Sequence, residues 1–140
     1  MKKIILTILT ILWMGLIFFF SSEDSVKSTK LSNSFTDKTI VSICKLFNKK
    51  CDKDKVISKY GILVRKLAHF TEYFILGVLF LFTFREYGIK NPLVPIIVCI
   101  LYASSDEIHQ LFVSGRGARF TDVLIDSFGS TIAILLFNFF

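Results

Sequence analysis

From Ile4 to Phe20 the chain carries no charged residue. A run of this length is close to what a helix needs to cross the ~30 Å hydrocarbon core of a bilayer. Inside hydrocarbon every backbone N–H and C=O must find a partner within its own segment, so the run is expected to be helical. Met1-Lys2-Lys3 ahead of it looks like the start of a secretory leader. The residues that follow, Ser21-Ser22-Glu23-Asp24, lack the small-x-small pattern of a cleavage site, and a retained first helix is expected. Three more apolar stretches follow, giving spans of about 4–20, 61–84, 92–113 and 121–140 joined by a polar loop over 21–60 and short turns. The expected fold is all-α: a polytopic membrane protein, a four-transmembrane-helix bundle with an amphipathic, lysine-rich loop between helices 1 and 2, forming one membrane domain over residues 1–140. Composition agrees, since 53% of residues are hydrophobic, more than soluble domains usually carry.

The net charge of +6 does not point to nucleic acid, because nine of the seventeen basic residues are lysines between Lys27 and Lys59, in one polar segment flanked by apolar runs. That distribution suits a membrane surface. Within the segment Leu31, Phe35, Ile40, Ile43, Cys44 and Phe47 recur at roughly helical spacing, which fits either an amphipathic surface helix or a solvated loop. Cys44 and Cys51 lie seven apart and Cys99 stands alone in an apolar run, so no zinc-finger spacing exists. The first two can close a disulfide only in an oxidising compartment. Asn91-Pro92 reads as an N-cap followed by proline in the first turn of the third span.

An up-down-up-down bundle brings together the end of span one, the start of two, the end of three and the start of four. The unusual polar residues occupy those four places: Arg65, Lys66, His69, Glu72 and Tyr73; Asp106, Glu107, His109 and Gln110; then Arg116, Arg119, Asp122 and Asp126. Spacings of three and four align each set on one face of its helix. Glu72 lies ~10 Å along its helix from Arg65, and Glu107 ~10 Å from Val113, so their depths match. Because an ionised group in hydrocarbon costs at least ~2.5–3.5 kcal/mol, the acids are expected to face inward as a paired network. Gly129 and Ala133, following Asp126 at helical spacing, are expected to let span four pack closely.

Counting positive charges gives conflicting orientations, since the lysine-rich loop and the polar cluster share a side opposite Lys2, Lys3, Arg85 and Lys90. The basic start of the first helix and the acidic Glu23-Asp24 at its far flank favour cytoplasmic N and C termini. The cluster is then expected at the outer leaflet.

Phe20-Ser21-Ser22 after span one, Lys66-x-x-His69 with Glu72-Tyr73 opening span two, Glu107-x-x-Gln110-x-Phe112 closing span three, and then Arg116 and Asp122 together resemble the VanZ-like family. The likeness covers nearly the whole chain apart from the lysine-rich loop. It implies a small multi-pass protein of the bacterial plasma membrane, of the type associated with resistance to the glycopeptide teicoplanin. The chain departs from the family pattern at Asp126, where asparagine is usual, at His109, and at Ser22-Glu23, where Ser-Gln is more usual.

The residues leave the chemistry open. A ligand-binding set of Lys66, His69, Glu72, Tyr73, Glu107, Gln110, Arg116, Asp122 and Asp126 would suit a polar head group, with Arg116 offering a forked contact to phosphate. Its expected partners are membrane lipids or a lipid-linked cell-wall precursor, and no nucleic acid. His69, Glu72 and Glu107 are candidates for acid–base catalysis in an intramembrane hydrolase or transferase. Ser21 and Ser22 would be nucleophiles only if a base reached them, and His69 is the candidate base. His69, Glu72, Asp106 and His109 could hold a divalent metal, yet no dedicated metal motif occurs and no cofactor is expected. A transporter is disfavoured, because the far halves of spans two and four offer no polar path.

Overall fold

The computed structural model describes residues 1–23, 34 and 53–139. The amphipathic segment between Leu31 and Phe47, and the pairing of Cys44 with Cys51, lie outside the described residues. Among the described residues four helices are laid out: α1 (Lys2–Ser21), α2 (Lys53–Glu86), α3 (Leu93–Gln110) and α4 (Phe120–Phe137). There is no strand among the described residues.

Three of these helices, α1, α4 and the Ile62–Glu86 part of α2, are long and apolar enough to cross a membrane. The third expected span does not reach that mark. α3 carries Pro95 near its start and Asp106, Glu107, His109 and Gln110 in its last turns, which lowers its apolar character although its outward side chains Leu93, Ile97, Ile100, Leu101 and Ile108 are aliphatic. It also ends at Gln110, short of the expected Val113. The opposite difference occurs in α2, which starts at Lys53, so residues 53–60 continue the helix where the sequence suggested a connector. Apolar periodicity is blind to a helical extension that leaves the hydrocarbon, because nothing there selects an apolar face. At 34 residues, α2 is ~51 Å long, well beyond the ~30 Å of a bilayer core.

Local chemistry explains where the helices stop. Ser22 Oγ donates to the Phe18 carbonyl at 2.7 Å at the end of α1. At the end of α2 the Ile89 amide meets Phe84 O and the Gly88 amide meets Arg85 O, with Gly88 at φ 83°, which is a Schellman closure. Asn91 Oδ1 accepts the Leu93 amide at 3.0 Å, so Asn91 caps α3 as expected, from just outside the helix. Within the helices Thr7, Thr10, Thr71 and Ser104 return their hydroxyls to carbonyls four residues back, the usual solution for such residues in hydrocarbon.

α2 lies at the centre, packed most extensively on α4 and also against α1 and α3. Two glycines set the α2–α4 approach. A Cβ on Gly77 would stand 2.6 Å from Ser130 O, and one on Gly129 would stand 2.6 Å from Phe70 O, while Ala133 is completely buried. The close packing expected at Gly129 and Ala133 is therefore present, with Gly77 as its counterpart on α2. The core joins Ile17, Tyr73, Leu76, Phe80, Leu81, Cys99, Ala103 and Ile134. α1 is held to α2 by polar contacts as well: Thr10 and Thr83 hydroxyls meet at 2.9 Å in a buried position, and the Trp13 indole N–H donates to Glu72 O at 3.0 Å.

Candidate functional site

The polar ends of the four helices meet where the sequence places them. From α3, Asp106, Glu107 and Gln110 are all buried, with 2%, 3% and 2% exposure. Gln110 Nε2 donates to Asp106 Oδ2 at 3.4 Å and to Glu107 Oε1 at 3.2 Å. The other Glu107 oxygen accepts the Arg119 backbone amide at 2.8 Å, at the start of α4. The intramolecular role considered for Arg119 is thus filled by its peptide N–H, while its side chain is exposed. Across the site Lys66 of α2 pairs with Asp122 of α4 at 3.5 Å.

Arg116 reaches in from the turn between α3 and α4, where Gly115 adopts φ 71°. Its guanidinium donates to Gln110 Oε1 at 3.4 Å and to Phe20 O at 3.3 Å, both neutral acceptors. Its Nε is buried without a partner. Burial, and next the neighbouring Arg65 guanidinium, push its pKa below the usual arginine value. Among the described residues no carboxylate is in direct contact with this half-buried arginine, although Asp106, Glu107 and Glu23 act on it from farther away.

Deeper in the bundle the balance reverses. Asp126 is completely buried, and the charged groups that act on it are the carboxylates of Asp106, Glu107, Asp122 and Glu72. Among the described residues neither of its oxygens has a hydrogen-bond partner, nor do Asp106 Oδ1, the Tyr73 hydroxyl or His69 Nδ1, and the Ser21 hydroxyl interacts with Asp106. Buried polar atoms are nearly always satisfied, so a group of unsatisfied ones in one place sets this region apart from the rest of the bundle.

Two expectations about histidine change. His69 and Glu72, one helical turn apart, stand 4.0 Å from Nδ1 to Oε2, beyond a hydrogen bond. His109 turns away from the cluster: its Nε2 lies 3.1 Å from Ser22 Oγ and its ring stacks on Phe18 at 4.2 Å. The base beside the serine pair is thus His109 rather than His69, and the Ser22 hydroxyl is already donated to the Phe18 carbonyl. For the same reason His69, Glu72, Asp106 and His109 do not converge, and no group of three or more His, Cys, Asp or Glu suited to a metal occurs among the described residues. Aromatic groups behind the site were not singled out by sequence. Trp13 braces the Glu72 carbonyl, and Tyr102 donates to Met14 O at 2.7 Å beside Tyr73. Their only signal was a polar-tipped ring inside an apolar run.

Apolar helices able to span a bilayer, with ionisable side chains gathered at one end between them, define a small helical membrane protein with a polar site inside its bundle. The chain belongs to the VanZ/LLP1 family, whose model matches residues 6–140. No curated protein and no solved structure matches it.

Proposed function

We propose that this protein is a four-span, multi-pass component of the bacterial plasma membrane that binds the phosphate-bearing head group of a lipid or lipid-linked wall precursor. On this reading α3 is the fourth span, the termini are cytoplasmic and the site lies at the outer leaflet, where its occupancy modulates sensitivity to teicoplanin-type glycopeptides. The length of α3, 18 residues or ~27 Å, and its aliphatic outward face support its role as a span. The observation that carries the ligand is Arg116: half-buried, bonded to neutral acceptors and with Nε unpartnered. Arginine left in that state favours an anion whose two oxygens can accept from its planar fork, such as phosphate.

The alternative, an intramembrane hydrolase or transferase using His69, Glu72 and Glu107, draws less support. Both Glu107 oxygens are already engaged, one by Gln110 of the same helix and one by the Arg119 amide at the start of α4, and His69 and Glu72 are not hydrogen-bonded to each other.

The test is purification of wild-type protein and Arg116→Ala from membranes, followed by native mass spectrometry of the lipids retained. Wild type is expected to carry phosphate-bearing lipid and the variant to lose it. Equal retention by both would overturn the ligand assignment. Unchanged teicoplanin-type susceptibility in a deletion strain would remove the resistance role separately.

A further inference from the structure

We propose that the head group bound here carries a primary ammonium as well as a phosphate, the ammonium resting against Asp106, Glu72 and Tyr73 while the phosphate meets Arg116. The proposal rests on the phosphate reading of Arg116 and adds the second half of the ligand.

The argument begins with which carboxylates are already satisfied. Asp122 is paired with Lys66, and Glu107 gives its two oxygens to Gln110 and to the Arg119 amide. Asp106, Glu72 and Asp126 remain. On the α3 side His109 and Arg116 both act on Asp106, and Gln110 bridges Arg116 to it through its amide. Apart from Arg116 Nε, which belongs to the phosphate half, the atoms without partners among the described residues include three carboxyl oxygens, Asp106 Oδ1 and both of Asp126, accompanied by the Tyr73 hydroxyl and His69 Nδ1, which can donate or accept. Such a set calls for a group that is positively charged and rich in N–H donors.

A primary ammonium supplies three donors, no acceptor and one positive charge. A quaternary ammonium supplies the charge without the donors. A divalent cation needs convergent oxygen ligands, and no such group of His, Cys, Asp and Glu exists among the described residues. Accessibility orders the contacts. The Glu72 and His69 side chains retain 21% and 15% exposure, whereas Asp126 retains none. The ammonium therefore enters at Glu72, and the carboxyl groups of Asp106 and Asp126 lie buried behind it. One glutamine amide separates Arg116 from Asp106, a gap suited to the short linker of an aminoalkyl phosphate. Such a group can come from a phosphatidylethanolamine-type lipid or from a soluble phosphoethanolamine.

Trp13, the sole tryptophan of the chain, donates to the Glu72 carbonyl, so its fluorescence reports on the site. The full-length protein in detergent micelles is titrated with phosphatidylethanolamine, phosphatidylglycerol and phosphatidylcholine bearing identical acyl chains, while Trp13 emission and native mass spectra are recorded. Phosphatidylethanolamine is expected to bind about tenfold or more tightly than the other two, the effect of one charge-assisted hydrogen-bonding group. Asp106→Asn and Glu72→Gln are each expected to lower phosphatidylethanolamine towards the level of phosphatidylglycerol. Arg116→Ala weakens all three. Competition by free phosphoethanolamine as strong as that of the lipid supports the soluble source, and weak competition supports the lipid.

Phosphatidylglycerol or phosphatidylcholine binding as tightly as phosphatidylethanolamine, still dependent on Arg116, overturns the ammonium and leaves the phosphate reading standing. A preference for phosphatidylethanolamine that survives both carboxamide variants overturns its placement. Binding indifferent to Arg116→Ala overturns the phosphate reading itself. The carboxamide replacements keep side-chain shape, and an unchanged far-UV circular dichroism melt in detergent serves as their folding control.

Discussion

Glu107 Oε2 accepts the backbone amide of Arg119 at 2.8 Å, so an acid near the end of α3 satisfies the first free N–H at the start of α4. The four leading amides of a helix have no partner inside it, and the α4 N-cap has no side-chain cap of its own. Glu107 supplies one from a neighbouring helix while its other oxygen holds Gln110. Glu107→Ala leaves the part-buried Arg119 amide unmet and removes one of the two acceptors of Gln110, and is expected to cost about 1–3 kcal/mol. Glu107→Gln keeps an acceptor for Arg119 but turns a donor towards Gln110, and is expected to fall between wild type and alanine. Thermal unfolding in detergent followed by far-UV circular dichroism gives the order. A Glu107→Ala midpoint equal to wild type would show that the contact does not hold the two helices together.

The two glycines at the α2–α4 crossing give a sharper contrast. Alanine at Gly77 or Gly129 would bring a methyl to 2.6 Å from a backbone carbonyl on the facing helix, which only separation of the helices can relieve. Each is expected to destabilise by about 1–3 kcal/mol. Gly15 has nothing within 4 Å of the added methyl and lies inside α1, where alanine favours the helix by about 0.8–1 kcal/mol. Gly15→Ala should therefore match or exceed wild type in the same melt. A Gly129→Ala protein as stable as Gly15→Ala would rule out the tight crossing.

Much of the site was legible because spacing in a helix is also direction in space. His69, Glu72 and Tyr73 had to share a face, as did Glu107 and Gln110 or Asp122 and Asp126, and hydrocarbon leaves such faces nowhere to turn but inward. The Gly129–Ala133 pair was legible for the same reason. What spacing does not encode is which partner each group takes. Arg119 offered a guanidinium, yet its peptide N–H makes the bond. His109 lay at cluster depth, yet its edge of α3 faces Phe18 and Ser22. Residues 53–60 looked like loop because their polarity reflects a position beyond the hydrocarbon, which says nothing about backbone conformation.

One hydroxyl from each of two apolar runs proves to be a linked pair. Thr10 Oγ1 donates to Leu6 O at 2.8 Å and sits 2.9 Å from Thr83 Oγ1, so Thr83 donates to Thr10. Thr10→Val removes the acceptor and strands a buried hydroxyl. Thr83→Val leaves the Thr10–Leu6 bond in place. Interhelical hydrogen bonds in membranes are worth about 0.6 kcal/mol on average and up to about 1.7. Thr10→Val is expected near the upper figure and Thr83→Val near the lower, with the double variant no worse than Thr10→Val alone. A double-mutant cycle in detergent measures the coupling, and strictly additive losses would show that the two hydroxyls act independently.

The proposed orientation is open to direct labelling through three cysteines in different places. Cys99 is completely buried in the core against α4, so it should resist a membrane-impermeant maleimide until the protein is unfolded, and it serves as an internal zero. Cys44 and Cys51 lie in the lysine-rich connector after α1. A chain with a cytoplasmic amino terminus carries that connector, and the Arg116 site with it, to the outer side. Intact cells treated with a mild reductant and then the maleimide are expected to label at Cys44 or Cys51, with the signal lost in Cys44→Ser/Cys51→Ser. Labelling that needs lysis would place connector and site in the cytoplasm. The count of positive charges in the connector would then have outweighed the first helix in setting topology, and the ligand would have to be sought in the inner leaflet.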